Sequence, residues 1–295
     1  SVLVSQEGRD SFTMKKKLMI LASVACMVCL SAVVLAGCSG GAATDKKAEG
    51  EGAPAAPSTT FTVGFDQDFP PYGYVGNDGE LTGFDLDLAK EVCARNGWEC
   101  KLEPINWDTK DTLINSGSIS CIWNGFTMEG RENDYTFAGP YMDNSQVVVA
   151  KKSSNITDFA GLKDKVVLAQ ADSAALHLLE AGGDQAALAA TFKKLDTIGE
   201  YNTAFMQLES GAVDAVALDL PVAKFQISGK EDKYTIIDEK LSSEHYAVAF
   251  KKGNTEQAEA VQKTLQEMVA DGTVKKIAEK YADQGISYDM WILKA

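Results

Sequence analysis

The sequence predicts an α/β fold with largely parallel sheets, built as two lobes. Downstream of residue 60, short β-branched and aromatic segments alternate with segments whose apolar residues recur about every three to four positions. A unit of helix, Ser-Gly stop and buried strand occurs twice, at 113–124 and 207–219. With 45% hydrophobic and 24% charged residues, the 295-residue chain can bury a core. Alternation of this kind is typical of parallel sheets covered by helices.

The individual elements follow from local pattern. The first strand reads Phe-Thr-Val-Gly-Phe, and the first helix carries Phe84, Leu88 and Val92 on one face. Later strands are runs of Val, Ile and Ala, and later helices end near Gly or Ser-Gly. In chain order we predict strand 61–65, helix 83–95, strand 98–102, helix 108–116, strand 119–123, strand 146–150, strand 166–169, helix 173–181, helix 202–210, strand 213–218, strand 246–250 and helix 255–271.

The repeated unit indicates where a ligand would bind. In both copies the glycine fits a left-handed helix C-cap, and the strand that follows ends in a polar residue, Asn124 or Asp219. Ligands of open α/β sheets bind beyond the carboxyl ends of the strands. We therefore expect Asn124 and Asp219 to face a shared cleft, each from its own lobe.

The first forty residues resemble an export signal. Met14 and three lysines precede an uncharged run, 18–36, which leads into Leu35-Ala36-Gly37-Cys38, a sequence similar to the bacterial lipobox. We expect translation to start at Met14, with 1–13 an over-extended start and 14–37 a lipoprotein signal peptide. Cys38 would carry the lipid and 38–60 would be a flexible tether. The alternative is a transmembrane anchor, since the run has 19 residues.

Composition narrows the function further. The chain carries 42 Asp+Glu against 28 Lys+Arg, and this acidic balance argues against a nucleic-acid-binding surface. His177 and His245 lack Cys or carboxylate neighbours at metal-ligand spacing, so no metal site is expected.

In an exported chain Cys93 and Cys100 can form a disulfide, and two small buried thiols are the alternative. Cys121 is expected to be a buried strand residue.

Several segments together are similar to the bacterial extracellular solute-binding proteins of polar amino-acid ABC transporters. They occupy 61–74, 81–89, 122–131, 135–141, 214–219 and 270–281. The resemblance implies a two-lobe, periplasmic-binding-protein-like fold (type II, Venus flytrap) with two hinge strands. Lobe 1 would comprise 61–147 plus 247–295, and lobe 2 would comprise 152–243. No cofactor is implied.

The resemblance also implies roles for particular residues. Arg131 matches the arginine that holds the ligand α-carboxylate, and Asp219 matches the acid that takes the α-ammonium. Ser173 matches a backbone N–H contact to the carboxylate, while Asp66 and Phe69 match positions that touch the ligand side chain. The complete expected set is Asp66, Phe69, Trp107, Asn124, Gly125, Phe126, Thr127, Arg131, Gln170, Asp172, Ser173 and Asp219.

Some assignments stay open at this point. Arg131 could instead be a surface ion pair, Asp219 a helix N-cap, and Trp107 a core residue rather than a cleft wall. Asp85 and Asp87 are expected at a solvated helix start. Gln170 and Asp172 depart from the family pattern, and Asp172 adds an unexplained negative charge to the loop.

The leading hypothesis is a monomeric receptor, held outside the cytoplasm, that passes an amino acid to a membrane permease. An amino acid is a zwitterion, so a site with one fixed arginine and one fixed carboxylate suits it. We expect a polar or basic ligand, because Asp66 and Asp172 are acidic and Arg131 is the one cleft cation the motifs reveal. An enzyme similar to cyclohexadienyl dehydratase and a ligand-sensing ectodomain are the alternatives.

Overall fold

The computed structural model describes residues 59–295. The expected start extension, signal peptide and lipid-bearing Cys38 lie outside the described residues, as does all but the end of the tether. Across 59–295, no helix combines the length and apolar character needed to span a bilayer.

Strands and helices alternate through the described residues, as predicted. The strands are β1 (Thr60–Phe65), β2 (Asp68–Phe69), β3 (Gly73–Val75), β4 (Leu81–Thr82), β5 (Glu99–Pro104), β6 (Cys121–Ile122), β7 (Tyr135–Lys151), β8 (Val166–Gln170), β9 (Lys194–Ile198), β10 (Ala215–Asp219), β11 (Tyr234–Ile236) and β12 (Ser242–Lys251). The helices are α1 (Phe84–Asn96), α2 (Lys110–Ser116), α3 (Ala174–Leu179), α4 (Ala186–Ala189), α5 (Tyr201–Ser210), α6 (Leu220–Ile227), α7 (Thr255–Ala270) and α8 (Thr273–Lys280).

One continuous sheet joins two parallel halves. Its strand order is β5-β1-β6-β12-β7-β10-β8-β9, and β11 pairs with β7. The β5-β1-β6 and β10-β8-β9 segments are parallel, whereas β12 and β7 between them are antiparallel. We call β1–β6 with α1, α2, α7 and α8 lobe 1, and β8–β11 with α3–α6 lobe 2. This is the α/β, two-lobe architecture that the sequence predicted.

Two long strands connect the lobes. β7 pairs with β12 from Tyr135↔Lys251 to Gln146↔Ser242, and its second half pairs with β10. The two short strands predicted at 146–150 and 246–250 are therefore parts of longer strands. Gly139 and Pro140 lie where the β7–β12 register shifts, and the strand continues through this irregularity.

The repeated helix–strand unit folds alike in both lobes. Gly117 ends α2 with φ 79°, and Gly211 ends α5 with φ 80°. Both are left-handed C-caps, a conformation that glycine adopts without the Cβ penalty. Each cap turns the chain into a buried strand, β6 or β10, as the sequence indicated.

The cysteines differ from one expectation. Cys93 on α1 and Cys100 on β5 are free thiols, so the disulfide that the sequence allowed is absent. A hydrogen bond with the Cys100 thiol and, after it, burial raise the pKa of Cys93 well above its usual range. Cys121 is a fully buried residue of β6, as predicted.

Candidate functional site

A small cavity lies between the lobes at the carboxyl ends of β6, β8 and β10. Its volume is about 20 Å³. The residues around it come from both lobes, and they are Phe69, Trp107, Gly125, Thr127, Arg131, Gln170, Ser173, Ala174 and Asp219. Eight of the twelve expected site residues are in this set, including the arginine and the aspartate expected to hold opposite ends of a ligand.

The other four expected residues lie nearby. Asp66 borders an adjoining 320 Å³ cavity, which also contacts Trp107. Asp172 borders a 340 Å³ cavity on the other side of Arg131. Asn124 and Phe126 are buried and do not reach the small cavity. Phe126 contacts two residues that border the cavity, Trp107 and Arg131.

Arg131 is a buried cation without an acidic partner in the described part of the chain. Arg131 is 8% exposed, and none of the ion pairs among the described residues includes it. The guanidinium lies 4.5 Å from the Phe126 ring centre, and Nη1 donates to the Thr127 carbonyl at 3.1 Å. Burial lowers the pKa of Arg131. The surface ion-pair alternative is therefore wrong, and the guanidinium can donate hydrogen bonds to an incoming carboxylate.

Asp219 ends β10 on the opposite side of the cavity. It occupies the N-cap position of α6, but its side chain makes no capping bond. Instead Oδ1 accepts hydrogen bonds from Asn144 Nδ2, Gln146 Nε2 and the Tyr246 hydroxyl, each at 2.6 Å. The N-cap alternative for the side chain is wrong.

Glu244 forms a second buried carboxylate beside Asp219, and the sequence analysis missed it. Its Oε1 accepts hydrogen bonds from the Thr127 hydroxyl, Asn144 Nδ2 and Gln146 Nε2, each at 2.7 Å. Burial and then repulsion by Glu244 raise the pKa of Asp219 to about 7. We call Asp219 and Glu244 the carboxylate pair.

The loop after β6 is shaped by a buried aspartate. Asp85 is fully buried, and its Oδ2 accepts hydrogen bonds from the Gly125 N–H at 2.5 Å and the Tyr141 hydroxyl at 2.8 Å. The prediction of a solvated helix start was therefore wrong for Asp85. Gly125 has φ 57°, and a Cβ there would lie 3.0 Å from the Tyr246 ring. Both facts require glycine at this position.

Asp172 has partners that explain its charge. Its carboxylate forms an ion pair with Lys110 of lobe 1, and His177 Nε2 lies 3.0 Å from Oδ1. Burial opposes ionisation, but the hydrogen bonds from His177 and Lys110 outweigh it and hold the pKa of Asp172 at about 2. Lys110 is 1% exposed and borders the same cavity as Arg131. The expectation of Arg131 as the one cleft cation is thus wrong.

Further contacts close the lobes over the site. Gln170 Nε2 of lobe 2 donates to Asp66 Oδ2 of lobe 1 at 2.6 Å. The Phe69 ring packs 6.0 Å from the Tyr201 ring across the lobes. Burial raises the pKa of Asp66 to about 6, against the opposing effect of its hydrogen bonds. These contacts join the two lobes beside the small cavity, which Phe69 and Gln170 both border.

Trp107 and Ser173 complete the walls. Trp107 packs edge-on against Phe126, 5.7 Å away, and faces the cavity, so it forms part of the cleft wall. The Ser173 hydroxyl accepts the Leu176 N–H and caps α3, while its own N–H donates to the Gln170 carbonyl at 3.3 Å. The Ser173 N–H is therefore hydrogen-bonded within the turn that precedes α3.

The residues that sequence reasoning missed share a property. Asn144, Gln146, Glu244 and Tyr246 lie on β7 and β12, and only their pairing brings them together. Isolated polar residues within a strand resemble solvent-facing positions until the partner strand is known. Within residues 59–295 there is no cluster of three or more His, Cys, Asp or Glu side chains arranged to hold a metal.

Comparison with known proteins identifies the family. The family model for bacterial extracellular solute-binding proteins, family 3, matches residues 61–284. The L-cystine-binding protein TcyJ of Escherichia coli (strain K12) is 28% identical over 228 residues, covering 75% of this chain and 82% of that protein.

Two solved structures extend the comparison. An ABC uptake transporter substrate-binding protein from Streptococcus pneumoniae with bound histidine has a TM-score of 0.71 at 28% identity, covering 77% of this chain and 94% of that one. An ancestral amino-acid-binding protein, a precursor of cyclohexadienyl dehydratase, has a TM-score of 0.67 at 28% identity, covering 75% and 95%. The chain belongs to the bacterial extracellular solute-binding proteins, family 3.

Proposed function

We propose that this protein is a receptor that captures a polar or basic amino acid outside the cytoplasm and delivers it to an ABC transporter permease. One observation carries the proposal. Arg131 of lobe 1 and Asp219 of lobe 2 are buried and line the same cavity, and the two side chains ionise with opposite charges. A zwitterion satisfies both groups at once, with its carboxylate on Arg131 and its ammonium on Asp219.

In the proposed function, the two lobes close around the bound ligand. Because the two charged groups belong to different lobes, a ligand that binds both favours the closed state. Exclusion of water then strengthens both contacts. We place the hinge where β7 and β12 pass between the lobes, with lobe 1 formed by 61–147 plus 247–295 and lobe 2 by 152–243.

The N-terminal segment supports a location outside the cytoplasm, at the membrane. The family is extracellular, and the lipobox-like sequence before Cys38 supports a lipid anchor with 38–60 as the tether. The anchored receptor would act as a monomer, close to the permease that receives its ligand.

The relatives and the site leave a range of ligands. Cystine and histidine are named for two relatives, and both are polar amino acids. Asp66 adds acidic character at the expected side-chain end, whereas Asp172 is neutralised by Lys110. A thermal-shift screen of the twenty amino acids with cystine and ornithine should identify the ligand, because a bound ligand stabilises the folded protein by mass action.

Calorimetry on Arg131→Ala tests the proposed site. Removing one partner of a buried charge pair should weaken binding by about 2–5 kcal/mol. Arg95→Ala is the matched control, because Arg95 forms ion pairs with Glu91 and Asp271 on the surface of lobe 1. Unchanged affinity in Arg131→Ala would show that this arginine does not hold the ligand.

A dehydratase-like enzyme is the second candidate, and one observation favours it. A general acid needs a protonated group in the cleft near neutral pH, and burial raises the pKa of Asp219 to about 7 and that of Asp66 to about 6. Asp172, another residue that could have served as the acid, has a pKa of about 2. Turnover of prephenate or arogenate by the wild-type protein, lost in Asp219→Asn, would establish the enzyme instead of the receptor.

A further inference from the structure

The carboxylate pair is held by an unusual arrangement of donors. Asn144 Nδ2 donates to both Asp219 Oδ1 and Glu244 Oε1, at 2.6 and 2.7 Å, and Gln146 Nε2 does the same. Each amide therefore bridges the two carboxyl groups. Since both bonds of an amide converge on one nitrogen, the two acceptor oxygens are close neighbours.

One cation, Arg131, borders the cavities beside the two carboxyl groups. Asp219 is 5% exposed and Glu244 is 4% exposed, and neither takes part in an ion pair in the described part of the chain. The amide oxygens of Asn144 and Gln146 are buried without hydrogen-bond partners in the same region. Both amides thus direct their N–H groups toward the carboxyl groups, while their own oxygens stay without hydrogen bonds. This orientation indicates an excess of negative charge at the carboxylate pair.

Two adjacent buried carboxylates cannot both ionise readily. Like charges in a water-poor site raise the affinity of one of them for a proton, as in carboxyl dyads of enzymes. The other groups around the pair do not remove this repulsion. Arg131 borders one cavity with Asp219 and another with Glu244, and its single positive charge can balance only one of the two carboxylates. Glu129, His177 and Asp184 line the second of these cavities, whose volume is about 440 Å³. Tyr72, Tyr201 and Tyr246 are neutral, because burial raises the pKa of each well above the usual range.

We propose that Asp219 and Glu244 share one proton in the ligand-free protein, and that the ligand α-ammonium displaces it. This rests on the proposed function, in which Asp219 receives the ammonium. The proton leaves the carboxyl oxygen for solvent as the ammonium N–H groups take its place, so ligand binding and proton release are one exchange. Glu244 thereby becomes a determinant of ligand binding through its effect on Asp219.

The exchange predicts a specific pH dependence. Below the range where the pair loses its proton, each unit of acidification should weaken ligand binding by up to tenfold, since a proton and the ammonium compete for one site. In Glu244→Gln the repulsion is removed, Asp219 stays ionised at lower pH, and this dependence should move to lower pH. The glutamine side chain keeps an oxygen that can accept the Thr127 hydroxyl and the bridging amides.

Infrared spectroscopy tests the shared proton without a ligand. The free wild-type protein at about pH 6 should show a protonated-carboxyl stretching band that is reduced in both Glu244→Gln and Asp219→Asn. Asp85→Asn, which removes a different buried carboxyl group, serves as a reference for the band of an unrelated site. A band that neither Glu244→Gln nor Asp219→Asn alters would overturn the shared proton.

Calorimetry then tests displacement by the ligand. The α-amino groups of L-arginine and L-cystine stay almost fully protonated between about pH 5.5 and 6.5, so binding enthalpies in buffers of different ionisation enthalpy count the protons lost by the protein. We expect release of up to one proton in the wild type and much less in Glu244→Gln. Binding without proton release in the wild type would refute the exchange. If neither amino acid binds at pH 8, the receptor proposal fails for these ligands, while the infrared result still decides the shared proton.

Discussion

Replacing Asp85 with asparagine should reduce the pH dependence of the free energy of unfolding. Asp85 is fully buried, and burial raises its pKa to about 7, although hydrogen bonds from Gly125 and then Tyr141 oppose the shift. The folded state therefore holds the proton of Asp85 more tightly than the unfolded state. The resulting stabilisation is fully present below 3.8, the ordinary pKa of an aspartate, and is lost as the pH rises through about 7.

The magnitude follows from the size of the shift. The difference between a pKa of 3.8 and one of about 7 corresponds to a ceiling of roughly 4 kcal/mol in the free energy of unfolding. Between about pH 5 and pH 8 the Asp85 share of the free energy of unfolding falls by roughly 2–3 kcal/mol. Asp66 and Asp219, whose pKa values are raised to about 6 and about 7, act in the same direction. The ligand-free wild type should thus be more stable at pH 5 than at pH 8.

Urea titrations of the ligand-free protein at several pH values between about 5 and 8 provide the assay. In Asp85→Asn the amide oxygen can accept the Gly125 and Tyr141 bonds, so the fold is retained while the titrating proton is removed. The decline in stability between the two pH limits should shrink by roughly 2–3 kcal/mol. Asp87→Asn is the control, because Asp87 pairs with Lys280 at the surface and its substitution should leave the decline unchanged. The reasoning fails if Asp85→Asn follows the same pH dependence as the wild type.

Two further substitutions test the loop and the lobe contact. Gly125→Ala should lower the free energy of unfolding, measured in urea, by roughly 2–4 kcal/mol. The alanine would have to adopt a left-handed backbone conformation, and its Cβ would also press against the Tyr246 ring. Gly130→Ala has the same backbone strain with open space around it and should lose only about 1–2 kcal/mol; equal losses would contradict the contact. Lys110→Met removes the ion pair with Asp172 that joins the lobes, and ligand affinity measured by calorimetry should fall by roughly 1–3 kcal/mol. Unchanged affinity would show that closure does not depend on this pair.

The sequence was sufficient for the architecture and for the residues at strand ends. Gly117 and Gly211 identified helix ends because a left-handed cap needs glycine, and the strands after them ended at the cleft. Arg131 and Asp219 were found because they stand in recognisable motifs. Such signals are local, so one sequence is enough to read them.

Features that depend on pairing between distant segments were harder to predict. Glu244 contacts Thr127 and the amides of β7, all about a hundred or more residues away in the chain. Asp85 looked like an ordinary acidic residue of a first helical turn, where negative charge is favourable. Its burial depends on Gly125 and Tyr141, which approach it only in the folded lobe. Lys110 carried no motif, and its role depends on the opposite lobe.

The connecting strands β7 and β12 carry Asn144, Gln146 and Glu244 on the segments that pass from one lobe to the other. In the proposed function, the groups around the ligand ammonium therefore lie on the strands that form the hinge. A substitution that retunes ligand preference at these positions would also alter the stiffness of that hinge. Selectivity and the rate of opening would then change together, whereas replacements at the side-chain end, around Asp66 and Trp107, could diversify the ligand and leave the mechanics intact.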